Sequence, residues 1–179
     1  TIHKKFKNFY YPSYPYIYKN FEILGECAKI LDNNQDWNGK ILLTIDTKKN
    51  NYAKSIFKKY KNYNSLKFIG YQSHKNILKL YKSSDALIFP SLMETWGLPI
   101  SEAKKYNLPI LASKVDYSRE SVGKYHSTIF FDPYSANELS KILISINKGE
   151  KIFKKSLFVN PKNQYAQNNK QLIRMLIND

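Results

Sequence analysis

The stretch "PSLMETWGLPISEA" at 90–103 sets two carboxylates, Glu94 and Glu102, eight residues apart around a turn-like "TWGLP". Ionised carboxylates only accept hydrogen bonds, so a pair of them suits a ligand with vicinal hydroxyls at both ends. The residues between them suit an anion. A helix starting near Gly97 or Leu98 leaves its first amides unpaired, with the positive end of the helix dipole behind them. That combination is a site for phosphate. Gly97 lets a ligand approach the backbone closely, and Glu102 lies about 6 Å along the helix axis from Leu98. A diphosphate then fits between the acids, with a sugar at one end and a ribose at the other. The simpler alternative is a solvated surface charge plus an acid placed to favour a helix start.

Such a junction needs a strand before it and a helix after it. Apolar runs alternate with helical patterns along most of the chain. Strands are expected at 8–12, 40–46, 66–70, 85–91, 108–113 and 127–132. Helices are expected at 20–31, 51–61, 73–84, 98–107, 118–124 and 135–149, with a terminal helix over 163–179. Ser73 is a good N-cap, and proline near the start of 98–107 costs no hydrogen bond. Strands apolar along their whole length, joined through helices, imply a mainly parallel sheet covered on both faces. The fold class is therefore α/β, a doubly wound, Rossmann-like sheet of about six strands. Ligands of such folds lie at the carboxyl ends of the strands, which directs attention to 11–20, 46–51, 70–74, 90–98 and 113–118.

The chain has 179 residues, 42% of them hydrophobic, enough for one domain with a real core. No apolar run reaches the roughly 20 residues that span a bilayer, and the opening "TIHKKFKNFYYP" lacks the apolar region of a signal peptide. Thr1 in place of an initiator methionine suggests that an upstream part is missing. The lone Cys27, in an apolar helical pattern, excludes an internal disulfide and reads as a small core residue. His3, His74 and His126 are scattered, without acids at metal-ligand spacing. The net charge of +15 comes from lysines spread along the chain. It admits nucleic acid, anionic lipid or a phosphorylated ligand as partner without choosing among them.

The central block "LIFPSLMETWGLPISEAKKYNLPILAS" resembles the signature of retaining glycosyltransferases of family 4, which have the GT-B fold. The flanking runs "LKFIGYQSHKNILKLYKSSDALIFPS", "IFFDPYSANELSKILISI" and "YPSYPYIYKNFEIL" are similar to that family's in the same order, so the resemblance spans most of 8–149. It implies that residues 1–179 are one nucleotide-sugar-binding domain, the C-terminal donor-binding half of a two-domain enzyme. Glu94 would contact the donor sugar near the reaction centre, and Lys19 would neutralise the diphosphate. Glu102 would hold the ribose hydroxyls, and the amides of Trp96, Gly97 and Leu98 would cradle phosphate. Gly70 and Tyr71 would line the base pocket through their main chain, with the Tyr71 ring a partly packed surface aromatic.

The same resemblance implies a nucleotide-diphosphate sugar as donor and a glycan or lipid-linked acceptor, with no cofactor and no metal. It implies a missing N-terminal acceptor domain and a cytoplasmic enzyme, peripheral contact with the anionic inner face of the membrane being open to it. No nucleic-acid partner is expected. Three departures stand out. "PSYPYIYKN" lacks the arginine that many relatives place before the lysine, leaving Lys19 alone or helped by Lys48 or Lys75. "IDTKKN" replaces a glycine-rich loop, and "KVDYS" replaces a glycine pair, so Asp116 and Tyr117 would face the ligands differently. The reading from another class is a non-catalytic basic α/β module that binds nucleic acid or anionic membrane.

Overall fold

A computed structural model describes residues 5–150 and Phe153; the expected terminal helix over 163–179 lies outside the described residues. The elements are β1 (Asn8–Tyr11), α1 (Phe21–Asp32), β2 (Lys40–Leu43), α2 (Asn51–Tyr60), β3 (Leu66–Phe68) and α3 (His74–Ser83). They continue as β4 (Ala86–Phe89), α4 (Leu98–Lys105), β5 (Ile110–Ser113), α5 (Asp116–Val122), β6 (Thr128–Phe131) and α6 (Ala136–Lys148). The six strands form one sheet in the order β3-β2-β1-β4-β5-β6, and every pairing is parallel. The fold is the Rossmann-like α/β class that the alternation implied.

Side-chain caps open three of the six described α-helices. Asn50 accepts from Ala53 N at 2.7 Å to open α2. Ser135 accepts from Glu138 N at 3.1 Å to open α6, and Ser73 caps α3 as its type suggested. Gly149, at φ 82, ends α6 in the left-handed conformation. Several elements stop short of their expected ends: β2 closes at Leu43, not 46, β3 at Phe68, not 70, and α4 at Lys105, not 107. The helix placed at 118–124 begins at Asp116, an acid that complements the dipole in the first turn, and ends at Val122 before Gly123 at φ 55.

The core follows the apolar pattern. Every residue of β4 and β5 is buried, as a strand covered on both faces requires. Phe21, Leu24, Cys27, Ala28 and Leu31 line the buried stripe of α1, and Ile56 and Tyr60 that of α2. α1 packs on α2 and α6, and α4 on α5. Trp37 stacks on Phe9 with ring centroids 5.7 Å apart.

The sheet order reverses between β1 and β4. The β1–α1 and β4–α4 loops therefore leave the sheet in different directions and open a crevice at their carboxyl ends.

Candidate functional site

The crevice is a cleft of about 420 Å³, and Lys19, Glu94, Trp96, Gly97, Leu98 and Glu102 all line it. Tyr71 lines it from the end of β3. Gly70 is its neighbour in sequence, at φ 68 with no atom within 4 Å of where a Cβ would lie. Glu94 and Glu102 thus face one space, with the start of α4 between them.

That helix start is open. Gly97 is the N-cap residue at φ 64, ψ 46, and no side chain bonds to the first amides. Pro99 contributes no N–H to the first turn, so the exposed donors are few and lie beside Gly97. Trp96 and Leu98 stand mostly exposed on either side of it.

Lys19 and Glu94 form an ion pair with each other, their side chains only 13% and 11% exposed. Ser91 Oγ donates to the same Glu94 oxygen at 2.9 Å. Around this pair the loops are fastened. Tyr11 donates its hydroxyl to Lys19 O at 2.9 Å, and Leu92 N donates to Tyr18 O at 2.8 Å. Asn20, at φ 55, donates its amide to Pro90 O at 3.2 Å and Pro133 O at 2.9 Å, clasping three loops. Behind them Ser113 Oγ and the Tyr117 hydroxyl both donate to Ser91 O. Tyr117 therefore braces the loop through Ser91, and Asp116 is exposed at the start of α5.

Glu102 projects from the second turn of α4 toward two buried phenols, Tyr10 and Tyr81, whose rings meet edge to face at 5.4 Å. Burial first, and the negative Glu102 second, push the ionisation of both hydroxyls well above the usual tyrosine range. They stay neutral; the Tyr81 hydroxyl donates to Pro99 O at 3.5 Å, and the buried Tyr10 hydroxyl has no hydrogen-bond partner among the described residues. Among the described residues, no three His, Cys, Asp or Glu side chains cluster closely enough to share a metal ion.

Sequence reasoning missed the supports. Ser91, Asn20, Tyr117 and the Tyr10–Tyr81 pair act through contacts between residues far apart in the chain. Only Ser91 and Asn20 carried a local signal, as neighbours of Pro90 and Lys19. It also missed a row of tyrosines on the cleft wall, with Tyr14 tilted against Tyr16 at 5.1 Å between centroids and Tyr16 stacked on Tyr18 at 5.5 Å.

Comparison with known proteins places this geometry in context. The family model "Glycosyl transferases group 1" matches residues 3–171. A 75-residue stretch is 29% identical to O-antigen chain mannosyltransferase B of Escherichia coli, covering 42% of this chain and 19% of that protein. A glycosyltransferase from Rickettsia africae superposes with a TM-score of 0.65 at 20% identity, over 81% of this chain and 38% of that one. Anabaena HepE in complex with UDP and glucose superposes at 0.63 and 18% identity, over 82% and 42%. At these identities the structural likeness is one of fold, and the chain spans less than half the length of each of these proteins. The match to the family model nearly end to end, together with the fold and the cleft, establishes that the chain belongs to the group 1 glycosyl transferases.

Proposed function

We propose that this chain is the C-terminal, donor-binding half of a retaining glycosyltransferase that uses a nucleotide-diphosphate sugar. One observation carries the reading: Glu94 and Glu102 face a single cleft, with the open start of α4 between them and Lys19 beside Glu94. The diphosphate lies on the α4 amides next to Lys19, a cation that can leave its pairing with Glu94 for a doubly charged group. Glu94 then meets the hydroxyls of the transferred sugar, and Glu102, beside the neutral Tyr81, takes the ribose hydroxyls. Negative charge grows on the diphosphate as the glycosidic bond breaks. Lys19 and the helix start therefore favour the transition state over the bound donor, and the reading calls for no metal.

The name of the E. coli relative supports a hexosyl donor, and the UDP and glucose held by the Anabaena neighbour support a nucleotide sugar. The acceptor, a glycan or lipid-linked hydroxyl, falls to an N-terminal domain, so this half alone binds donor and turns over little. The full enzyme works in the cytoplasm, where its positive charge permits contact with an anionic membrane face. Among the described residues no helix is long and apolar enough to cross a membrane.

Calorimetric titration of the chain with UDP and GDP tests the reading. Binding of at least one is expected, and Glu102→Ala should weaken it by about tenfold or more, the loss of hydrogen bonds to a charged acceptor. Equal affinity in wild type and variant would remove the ribose role of Glu102.

A further inference from the structure

Two helices carry the same eight-residue pattern. "KSIFKKYK" (54–61) runs along α2 and one residue past its end, and "KNILKLYK" (75–82) runs along α3. Both read Lys-x-Ile-x-Lys-x-Tyr-Lys. Ile56, Tyr60 and Tyr81 are buried and Ile77 packs against the core, so the Ile and Tyr positions face inward. Lys54, Lys58 and Lys61 recur at i, i+4 and i+7 on the opposite side of α2, and Lys75, Lys79 and Lys82 do the same on α3. All six are exposed. Phe57 and Leu78 take the same register beside each stripe and are half-buried.

The stripes are not balanced by acids. Between Asp46 and Asp85 the sequence holds ten lysines and no Asp, Glu or Arg. Among the described residues only Lys59 of the ten pairs with a carboxylate, that of Glu26 on α1 at 3.0 Å. Like charges at i, i+3 and i+4 weaken a helix, and Lys75 in the first turn of α3 opposes its dipole. The sheet order gathers these charges at one side of the molecule. β3 is an edge strand, α2 leads into it and α3 leaves it. Right-handed crossovers put α2 and α3 on opposite faces of the sheet. The β3 edge, with exposed Lys67 on it, therefore lies between the two stripes.

The chemistry of this side narrows its partner. Lysine is a point charge on a flexible stem, without the bidentate fork that reads phosphates and bases one by one. Tyr60 and Tyr81 are buried, so neither repeat offers a ring on which a base could stack. Many mobile ammonium groups, with Phe57 and Leu78 half-open beside them, match a fluid layer of anionic headgroups. We propose that the β3 side of the domain, through the lysine stripes of α2 and α3, docks on an anionic lipid bilayer. This locates the membrane contact of the functional reading and is independent of donor binding, since none of the six lysines lines the cleft.

Co-sedimentation of the chain with vesicles tests the proposal. In about 0.1 M NaCl it should bind vesicles of equal parts phosphatidylglycerol and phosphatidylcholine but not pure phosphatidylcholine, and about 1 M NaCl should release it. A lysine close to an anionic bilayer is worth about fivefold in affinity. Lys54→Gln, Lys58→Gln and Lys61→Gln together should therefore weaken binding about a hundredfold, and so should Lys75→Gln, Lys79→Gln and Lys82→Gln together. Lys105→Gln, Lys124→Gln and Lys141→Gln remove the same charge from exposed sites elsewhere and should cost under about fivefold. None of the three variants should melt below the wild type. An equal loss in the third variant would make net charge the cause and overturn the proposal. So would a stripe variant without effect, or tighter binding to duplex DNA than to the anionic vesicles in the same salt. Absent vesicle binding with UDP still bound removes this inference alone; vesicle binding without UDP binding removes only the donor-site reading.

Discussion

Lys19 and Glu94 illustrate what a pair of charges at low exposure demands. Each would be costly to bury alone, and removing either leaves the other uncompensated. Ser91 Oγ completes the coordination of Glu94, so the carboxylate has partners within the protein while still facing the cleft. Glu26, on α1, makes a different kind of cluster. It accepts from Lys29 at 2.7 Å, Lys59 at 3.0 Å and the Tyr60 hydroxyl at 2.7 Å, joining α1 to α2. Hydrogen bonds from Lys29 and Tyr60, with Lys59 nearby, hold its carboxyl down to about 2. A depressed folded value means that the stabilisation is complete above the ordinary glutamate range and is lost as pH falls through about 2. The side chain is 39% exposed, so its worth is under about 1 kcal/mol. Glu26→Gln should melt slightly below wild type at neutral pH, with a gap that narrows steadily from about pH 4.5 downward. A gap constant across that range would show that the cluster is not what links Glu26 to stability. Nothing in the one-dimensional pattern brought Lys59 and Tyr60 to Glu26; the packing of α1 on α2 did.

The start of α4 is where backbone geometry and chemistry meet. Gly97 at φ 64 turns the chain from the cleft loop into the helix, and a Cβ there would lie 3.1 Å from Ser121 Oγ. Gly97→Ala should therefore destabilise the fold by about 1–2 kcal/mol from the left-handed backbone, plus the cost of moving Ser121. Urea unfolding of Gly97→Ala, with and without Ser121→Ala, separates these costs. The second substitution should recover only the contact, and full recovery would contradict the backbone account. This glycine and the helix after it were legible from "TWGLPISEA", because proline and glycine carry their conformational limits wherever they stand. The start of α5 was less legible. Asp116 and Tyr117 looked like loop residues beside the ligand, whereas the Tyr117 hydroxyl has a partner at Ser91 that only the approach of β4 to β5 supplies.

Taken whole, the protein joins a well-buried sheet to a strongly positive surface. A net charge of +15 repels itself in the compact state. Raising NaCl from 0.1 to 1 M shortens the screening length from about 10 Å to about 3 Å. The melting temperature should rise across that range, and a flat or falling profile would mean that local ion pairs outweigh the net repulsion. The element order, the buried stripes of the helices, the all-parallel sheet and the open helix start between two acids were all readable from residue order. They depend on periodicity, on caps and on the restricted angles of Gly and Pro, which act within a few neighbours. The mutual pairing of Lys19 with Glu94, the Asn20 clasp across three loops and the phenols under Glu102 were not readable. Each joins residues from different loops or elements, and their distances are set by the sheet order and the depth to which strands and helices pack.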